Sequence, residues 1–216
     1  MTALLSLLLL SQPLVATEAQ GRDRDSRYFL FSGDGVAEGE GRFAFELDAV
    51  VVVAGGGGGA LPALGFRYAR GLSGPLDLRL SLVTLGVYND VDLGVGYALV
   101  RTPSFGLGLR AGVTSVLIVG SEGGGGVFAA TPGLVATLRG SVVAFSVGAD
   151  VPMFFNGFVV TPSESAAGTG FAASVRPNVA LELGGDSAAF YIRGDATIFL
   201  VEGLALLGHV ALGVHF

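Results

Sequence analysis

The sequence predicts an all-β chain closed into a transmembrane antiparallel up-and-down β-barrel of about ten strands, with eight or twelve as the alternatives. Three observations predict it. Of 216 residues, 51% are hydrophobic and only 14% charged, with a mean hydropathy of +0.67, too apolar for an average soluble domain. That apolarity is dispersed among 36 glycines rather than gathered into the runs of roughly 20 residues that spanning helices require. Finally, the segment Gly208–Phe216 puts Val210, Leu212, Val214 and Phe216 on one side and His209, Ala211, Gly213 and His215 on the other, the form expected of a strand that closes a barrel.

The amino end predicts export. Leu4 to Leu10 form a short apolar stretch broken by Ser6, followed by Pro13 and the small-residue pattern Thr17, Glu18, Ala19. This is the layout of a secretory signal peptide over residues 1–19, although no Lys or Arg precedes the apolar stretch. Residues 20–41 combine Arg22 to Arg27, rich in charge, with a Gly, Asp and Glu stretch, and are expected to form a flexible aqueous extension. Within it the run Tyr28 to Phe31 suits either a short strand or an interfacial anchor.

The barrel is expected over residues 42–216, as alternating segments of the length that tilted spanning strands need, about ten residues each. Strand one, 42–53, sets Phe43, Phe45, Leu47, Ala49, Val51 and Val53 against Arg42, Ala44, Glu46 and Asp48. Strand two, 63–70, sets Leu64, Phe66 and Tyr68 against Gly65, Arg67 and Ala69; strand three, 75–84, sets Leu76, Leu78, Leu80 and Leu82 against Asp77, Arg79 and Ser81. Strands four, 91–100, and five, 104–116, continue the theme with Asp92 and Arg110 on their polar sides. Strand six, 127–139, carries Pro132, which lacks a ladder donor and predicts a bulge. Strand seven, 141–154, sets Val143, Phe145 and Val147 against Ala144, Ser146 and Asp150. A helix over 141–160 is the rival there, weakened by Pro152, glycines and β-branched residues. Strands eight, 169–183, and nine, 188–200, place Arg176, Glu182, Arg193 and Asp195 on their polar sides, and the terminal strand is the tenth.

The links predict which end is which. Ala54 to Pro62, Val119 to Gly126 and Phe155 to Gly168 are expected as long loops, whereas Gly71 to Gly74, Arg101 to Pro103, Gly140 and Gly184 to Ser187 are tight turns. Long links on one side and short ones on the other suit a barrel with both chain ends in the periplasm. Alternation alone does not say which face is inside. A soluble sandwich would bury the apolar side, and it is the apolar total, the export signal and the terminal Phe that favour a membrane barrel.

Together these features resemble the bacterial outer-membrane β-barrel proteins, over nearly all of residues 42–216. The ending His209-x-Ala211-x-x-Val214-x-Phe216 is similar to the assembly signal of that class, with alanine at the usual glycine place. The resemblance implies residence in a Gram-negative outer membrane, contact with its lipid, and recognition of Val214 and Phe216 by the barrel-assembly machinery. It does not imply one activity, because that architecture serves many.

Function must then lie on the inward face, where Glu46, Asp48, Asp77, Asp92, Asp150, Glu182 and Asp195 are expected with Arg67, Arg79, Arg110, Arg176 and Arg193. Arg67 can face Asp77, and Glu182 can approach Arg193, across tight turns. Such mixed charge predicts a salt-bridged, structural lumen. Inward glycines such as Gly65, Gly94, Gly96, Gly108 and Gly148 leave a second reading open, a narrow passive pore for small solutes. A hydrolase in the barrel wall is the least favoured reading: it would need a base near a nucleophile, and only His209 and His215 are available as imidazoles, so no enzyme is expected. With net charge -6 there is no basic footprint for nucleic acid. With no cysteine there is no disulfide, thiol nucleophile or lipid anchor site. The runs Gly55–Gly59 and Gly123–Gly126 lack the Lys-Ser/Thr of a phosphate loop, and Asn89–Asp92 lacks the rest of a calcium loop, so no cofactor is expected.

Overall fold

The computed structural model describes residues 30–31, 33, 35–54, 57–163, 165–184, 188–199 and 205–216. The proposed signal peptide, 1–19, lies outside them. The described chain forms twelve antiparallel segments: β1 (Gly41–Ala54), β2 (Gly57–Gly71), β3 (Leu76–Thr84), β4 (Tyr88–Arg101), β5 (Phe105–Gly120), β6 (Gly123–Ala130), β7 (Gly133–Arg139), β8 (Val143–Asp150), β9 (Met153–Val160), β10 (Ser165–Gly184), β11 (Ala189–Phe199) and β12 (Ala205–His215).

These segments close a ring of ten walls, because two walls are each built from two halves. β5 pairs with β7 along its first part, from Phe105, and with β6 along its second, from Val113. β10 likewise pairs with β9 and then with β8. The breaks fall at Thr131–Pro132 and Val151–Pro152, where proline supplies no N–H to a ladder. Each proline still accepts: Val151 donates to the Pro132 carbonyl at 2.8 Å and Ser174 to that of Pro152 at 2.9 Å. The bulge expected at Pro132 is thus a full interruption, matched in the next wall. The segment 141–160 holds two strands, β8 and β9, and no helix.

β1 and β12 close the ring in register from Ala44↔His215 to Val53↔Leu206. Phe43 and Phe216 exchange both backbone bonds, at 3.2 and 2.8 Å. This places Gly41 and Phe216 at one end, called here the near end.

Burial assigns the faces. On β1, Phe45 and Leu47 are 58% and 69% exposed, whereas Glu46 and Asp48 are each 4% exposed. The same inversion runs around the barrel, with Leu93, Phe145, Ile192 and Leu212 outward and Asp77, Ser146, Glu182 and Arg193 buried. A soluble barrel would do the reverse; an apolar belt over a polar interior suits a hydrocarbon solvent. The chain has no tryptophan, and phenylalanine and tyrosine supply an aromatic cluster at the near end. Phe43 packs at a tilt against Tyr68 at 4.6 Å and against Phe66 at 6.2 Å, and Phe45 meets Phe66 at 5.7 Å.

The long loops expected at Ala54–Pro62, Val119–Gly126 and Phe155–Gly168 are largely strand among the described residues. Gly57 to Pro62 pair residue by residue with Ala54 to Ala49. Gly123 to Gly126 lie between Gly120–Leu117 of β5 and the end of β9. Phe155 to Gly168 is largely β9 and the start of β10. Glycine is a poor strand former on its own, but ladder bonds use only backbone, so a well-set neighbour such as Val50–Val53 imposes its conformation. The described parts of the glycine runs, Gly57–Gly59 and Gly123–Gly126, are wall rather than loop.

Candidate functional site: the lumen

The lumen is filled in three layers. At the near end, the described residues among 30–40 turn into the barrel and pack there, whereas residues 20–29 of the expected extension lie outside the described residues. Leu30 and Val36 are buried with Ala44, Ala69 and Tyr191, and Phe31 packs against them. Phe31 meets the Tyr191 ring edge-on at 5.0 Å and lies under the Arg67 guanidinium at 5.4 Å.

Polar contacts fix this plug. The carboxylate of Glu182, with no exposed surface, accepts the amides of Leu30 at 2.7 Å and Phe31 at 3.0 Å. It also lies 3.1 Å from His215 Nε2. Arg110 Nη2 donates to the Phe31 carbonyl at 2.8 Å, and Arg79 Nη1 to that of Leu30 at 3.4 Å. The Gly33 amide donates to Thr137 Oγ1 at 2.9 Å. At the rim Gly39 and Gly71 complete the seal, the Gly39 amide donating to the Gly71 carbonyl and the Gly71 amide to that of Glu40.

The middle layer is charge. Arg193 donates to Glu46 at 2.7 Å, to Asp48 at 2.8 Å and to Asp195 at 2.5 Å. Glu46 also holds Arg67 at 3.1 Å and accepts from the Tyr191 hydroxyl at 3.0 Å. His209 lies between two carboxylates, with Nδ1 3.4 Å from Asp48 and Nε2 3.6 Å from Asp90. Across the lumen, Arg176 bridges Asp92 at 3.6 Å and Asp150 at 3.5 Å. Asn178 donates to Asp150 at 3.2 Å, and Thr114 bonds to Asp92. Asp77 and Arg79 pair at 2.6 Å along their own strand. The far layer is apolar: Val50, Ala63 and Val83 are buried, with Leu85, Tyr88 and Leu207 against them.

All twelve charged residues singled out from the sequence thus have recorded lumen contacts, but two expected pairs are not made. Arg67 stands opposite Ser81 of β3 and Ala44 of β1, so it reaches Glu46 rather than Asp77. Glu182 stands opposite Tyr191 and faces the plug, while Arg193 reaches across β12 to β1. Register in a closed, staggered ring decides these partners, and hairpin proximity does not. Asp90, Tyr191 and Arg139 are buried inside as well. Asp90 was legible in principle, since it extends the inward series of Asp92 and Gly94 by one step.

The inward glycines are seats for large neighbours. Gly65 and Gly213 flank Glu46 in register; an added Cβ at Gly65 would strike the Glu46 carboxylate, and one at Gly213 would strike the Tyr191 ring. At Gly96 it would lie 2.6 Å from Asp77 Oδ1 and at Gly148 2.7 Å from Asn178 Oδ1. At Gly108 it would strike the backbone of Gly33 in the plug. Small residues at these positions therefore admit long polar side chains and the plug. Gly213→Ala is expected to destabilise the barrel by about 1–3 kcal/mol, the usual range for overpacking. Gly168→Ala, whose added Cβ meets nothing within 4 Å, should be close to neutral. Midpoints of heat-modifiable gel migration compare the two.

Chemically, this arrangement orders charge. The recorded hydrogen-bond partners of both histidines are carboxylates, so among the described residues neither forms a base–nucleophile pair. Nor, among them, are three His, Asp or Glu side chains grouped to hold a metal ion.

No protein-family model and no curated protein matches the chain. Solved structures similar to it are bacterial outer-membrane proteins. The outer-membrane protease OmpT of Escherichia coli aligns with TM-score 0.49 and 11% identity, over 82% of this chain and 95% of that one. Ail, the attachment invasion locus protein of Yersinia pestis, aligns with TM-score 0.46 and 12% identity, over 83% and 100%. The Neisserial surface protein NspA aligns with TM-score 0.38 and 8% identity, over 81% and 95%. Ten antiparallel walls, an apolar exterior and a charged interior define the architecture independently of these likenesses. This is the fold of an outer-membrane β-barrel.

Proposed function

We propose that this chain is an integral protein of the Gram-negative outer membrane whose role is structural: a lipid-embedded barrel with a sealed, non-conducting lumen. Export by the signal peptide and insertion by the assembly machinery, engaging Val214 and Phe216, belong to the same reading. The observation that carries it is the grip of Glu182 on two successive plug amides. A carboxylate with no exposed surface, accepting from the plug and from His215, ties that segment into the barrel wall. Charge-assisted bonds of this kind are roughly twice as strong as neutral ones. The middle layer of ion pairs adds a second seal, and the volume over Gly65, Gly96, Gly148 and Gly213 is taken by the side chains seated there.

The test has two parts. Carbonate-washed outer membranes should retain the protein, and it should migrate heat-modifiably. Refolded protein in planar bilayers should give no current steps at moderate voltage of either sign. Regular steps would move the reading to a narrow passive pore for small solutes.

A further inference from the structure

Beneath Phe31 the lumen keeps a cavity of about 160 Å³, lined by Arg67, Arg79, Arg110 and Arg176 among others. We propose that this cavity binds one small oxyanion, a carboxylate or a phosphate, with Arg110 as its anchor.

Three of the four guanidiniums already have carboxylates. Arg67 holds Glu46, Arg79 holds Asp77, and Arg176 holds Asp92 and Asp150. Arg110 has none within 4.0 Å among the described residues. Its recorded hydrogen bond is the one to the neutral Phe31 carbonyl, and its Nε, shielded from solvent, has no partner. A cation inside a barrel surrounded by hydrocarbon is costly unless a counter-charge meets it. Asp150 and Asp77 attract Arg110 from beyond ion-pair distance, but each is already paired with another arginine, Arg176 and Arg79, while Asp92 is engaged by Arg176 and Asp195 by Arg193.

The geometry favours an oxyanion. A guanidinium presents five donors in a fixed fork that suits two oxygens of one ligand, and Arg110 uses one Nη2 hydrogen on the plug. By the same volume measure one water needs about 10–15 Å³, so an anion of four or five heavy atoms fits. Phe31 roofs the space, which limits the ligand to something small. A bound anion would sit against the underside of the plug and share Arg110 with it.

The test uses the full chain refolded in three buffers: one whose only anion is too large for the cavity, one with added inorganic phosphate, and one with added acetate. Supplying the anion during refolding removes any barrier to entry. The expected result is a saturable rise in the midpoint of heat-modifiable migration, roughly 5 °C near saturation, with at least one of the two small anions. Arg110→Gln, which keeps a polar side chain and loses the charge, should refold and show no such rise, while Arg70→Gln at the exposed rim should respond as wild type does. A phosphate response alone assigns a tetrahedral ligand, and an acetate response alone a carboxylate. No saturable rise with either anion, or an equal rise in Arg110→Gln, overturns the proposal. Neither outcome bears on the sealed barrel, which is tested by current.

Discussion

Arg193→Met is expected to cost the barrel about 3–5 kcal/mol, the range for removing one partner of a buried ion pair. Arg193 is 5% exposed and is the common partner of Glu46, Asp48 and Asp195. Methionine retains much of the packing volume, so the loss reports charge rather than a cavity. Three carboxylates would be left together, with Arg67 as the guanidinium still beside Glu46 and His209 beside Asp48. Denaturant-dependent refolding into vesicles measures the difference. Glu46→Gln in the same background should recover part of it, because it removes one of the stranded charges. A loss below about 1 kcal/mol for Arg193→Met would mean that this network contributes no more than an exposed pair.

Deleting residues 30–37 should open the near end of the lumen to water-soluble reagents. The chain contains no cysteine, so Ala44→Cys provides a clean reporter at a position with no exposed surface beside Leu30 and Val36. In the intact barrel a charged maleimide should label it slowly or not at all. In the deletion variant labelling should approach the rate of a surface thiol. Current need not appear, since the charged layer and the apolar cluster of Val50, Ala63 and Val83 still stand behind the plug. Glu182→Ala should give an intermediate rate, as it removes the acceptor of two plug amides and leaves the hydrophobic contacts. Equal labelling in all three proteins would show that the segment does not seal the lumen.

The walls were legible because their signal is local. Leu76, Leu78, Leu80 and Leu82 alternate with Asp77, Arg79 and Ser81 whatever lies beside them, and β3 follows. The ring of ten was legible for the same reason, since each wall repeats that period. The ends of walls were not. Gly57–Gly59 and Gly123–Gly126 lack any side-chain pattern, and their strand conformation comes from partners such as Val51–Val53 and Ile118–Gly120. The ion pairs were legible as composition but not as partners, because Arg67 chooses between Glu46 and Asp77 by register set around the whole ring. The plug was hidden by its own composition. Gly33, Gly35 and Gly39 look like solvent-facing chain, yet Gly33 is the residue that allows close backbone approach to Gly108, where a side chain would collide with Val135.

The seating of long side chains over glycines has a consequence for how this interior can vary through descent. Glu46, Gly65, Tyr191 and Gly213 occupy one shared volume, so a larger residue at either glycine is tolerable only if the side chain above it shrinks in the same lineage. Drift inside the barrel should therefore proceed by paired exchanges, small for large on one wall and large for small on the next. The outward faces, which meet only fluid lipid, can change one apolar residue at a time.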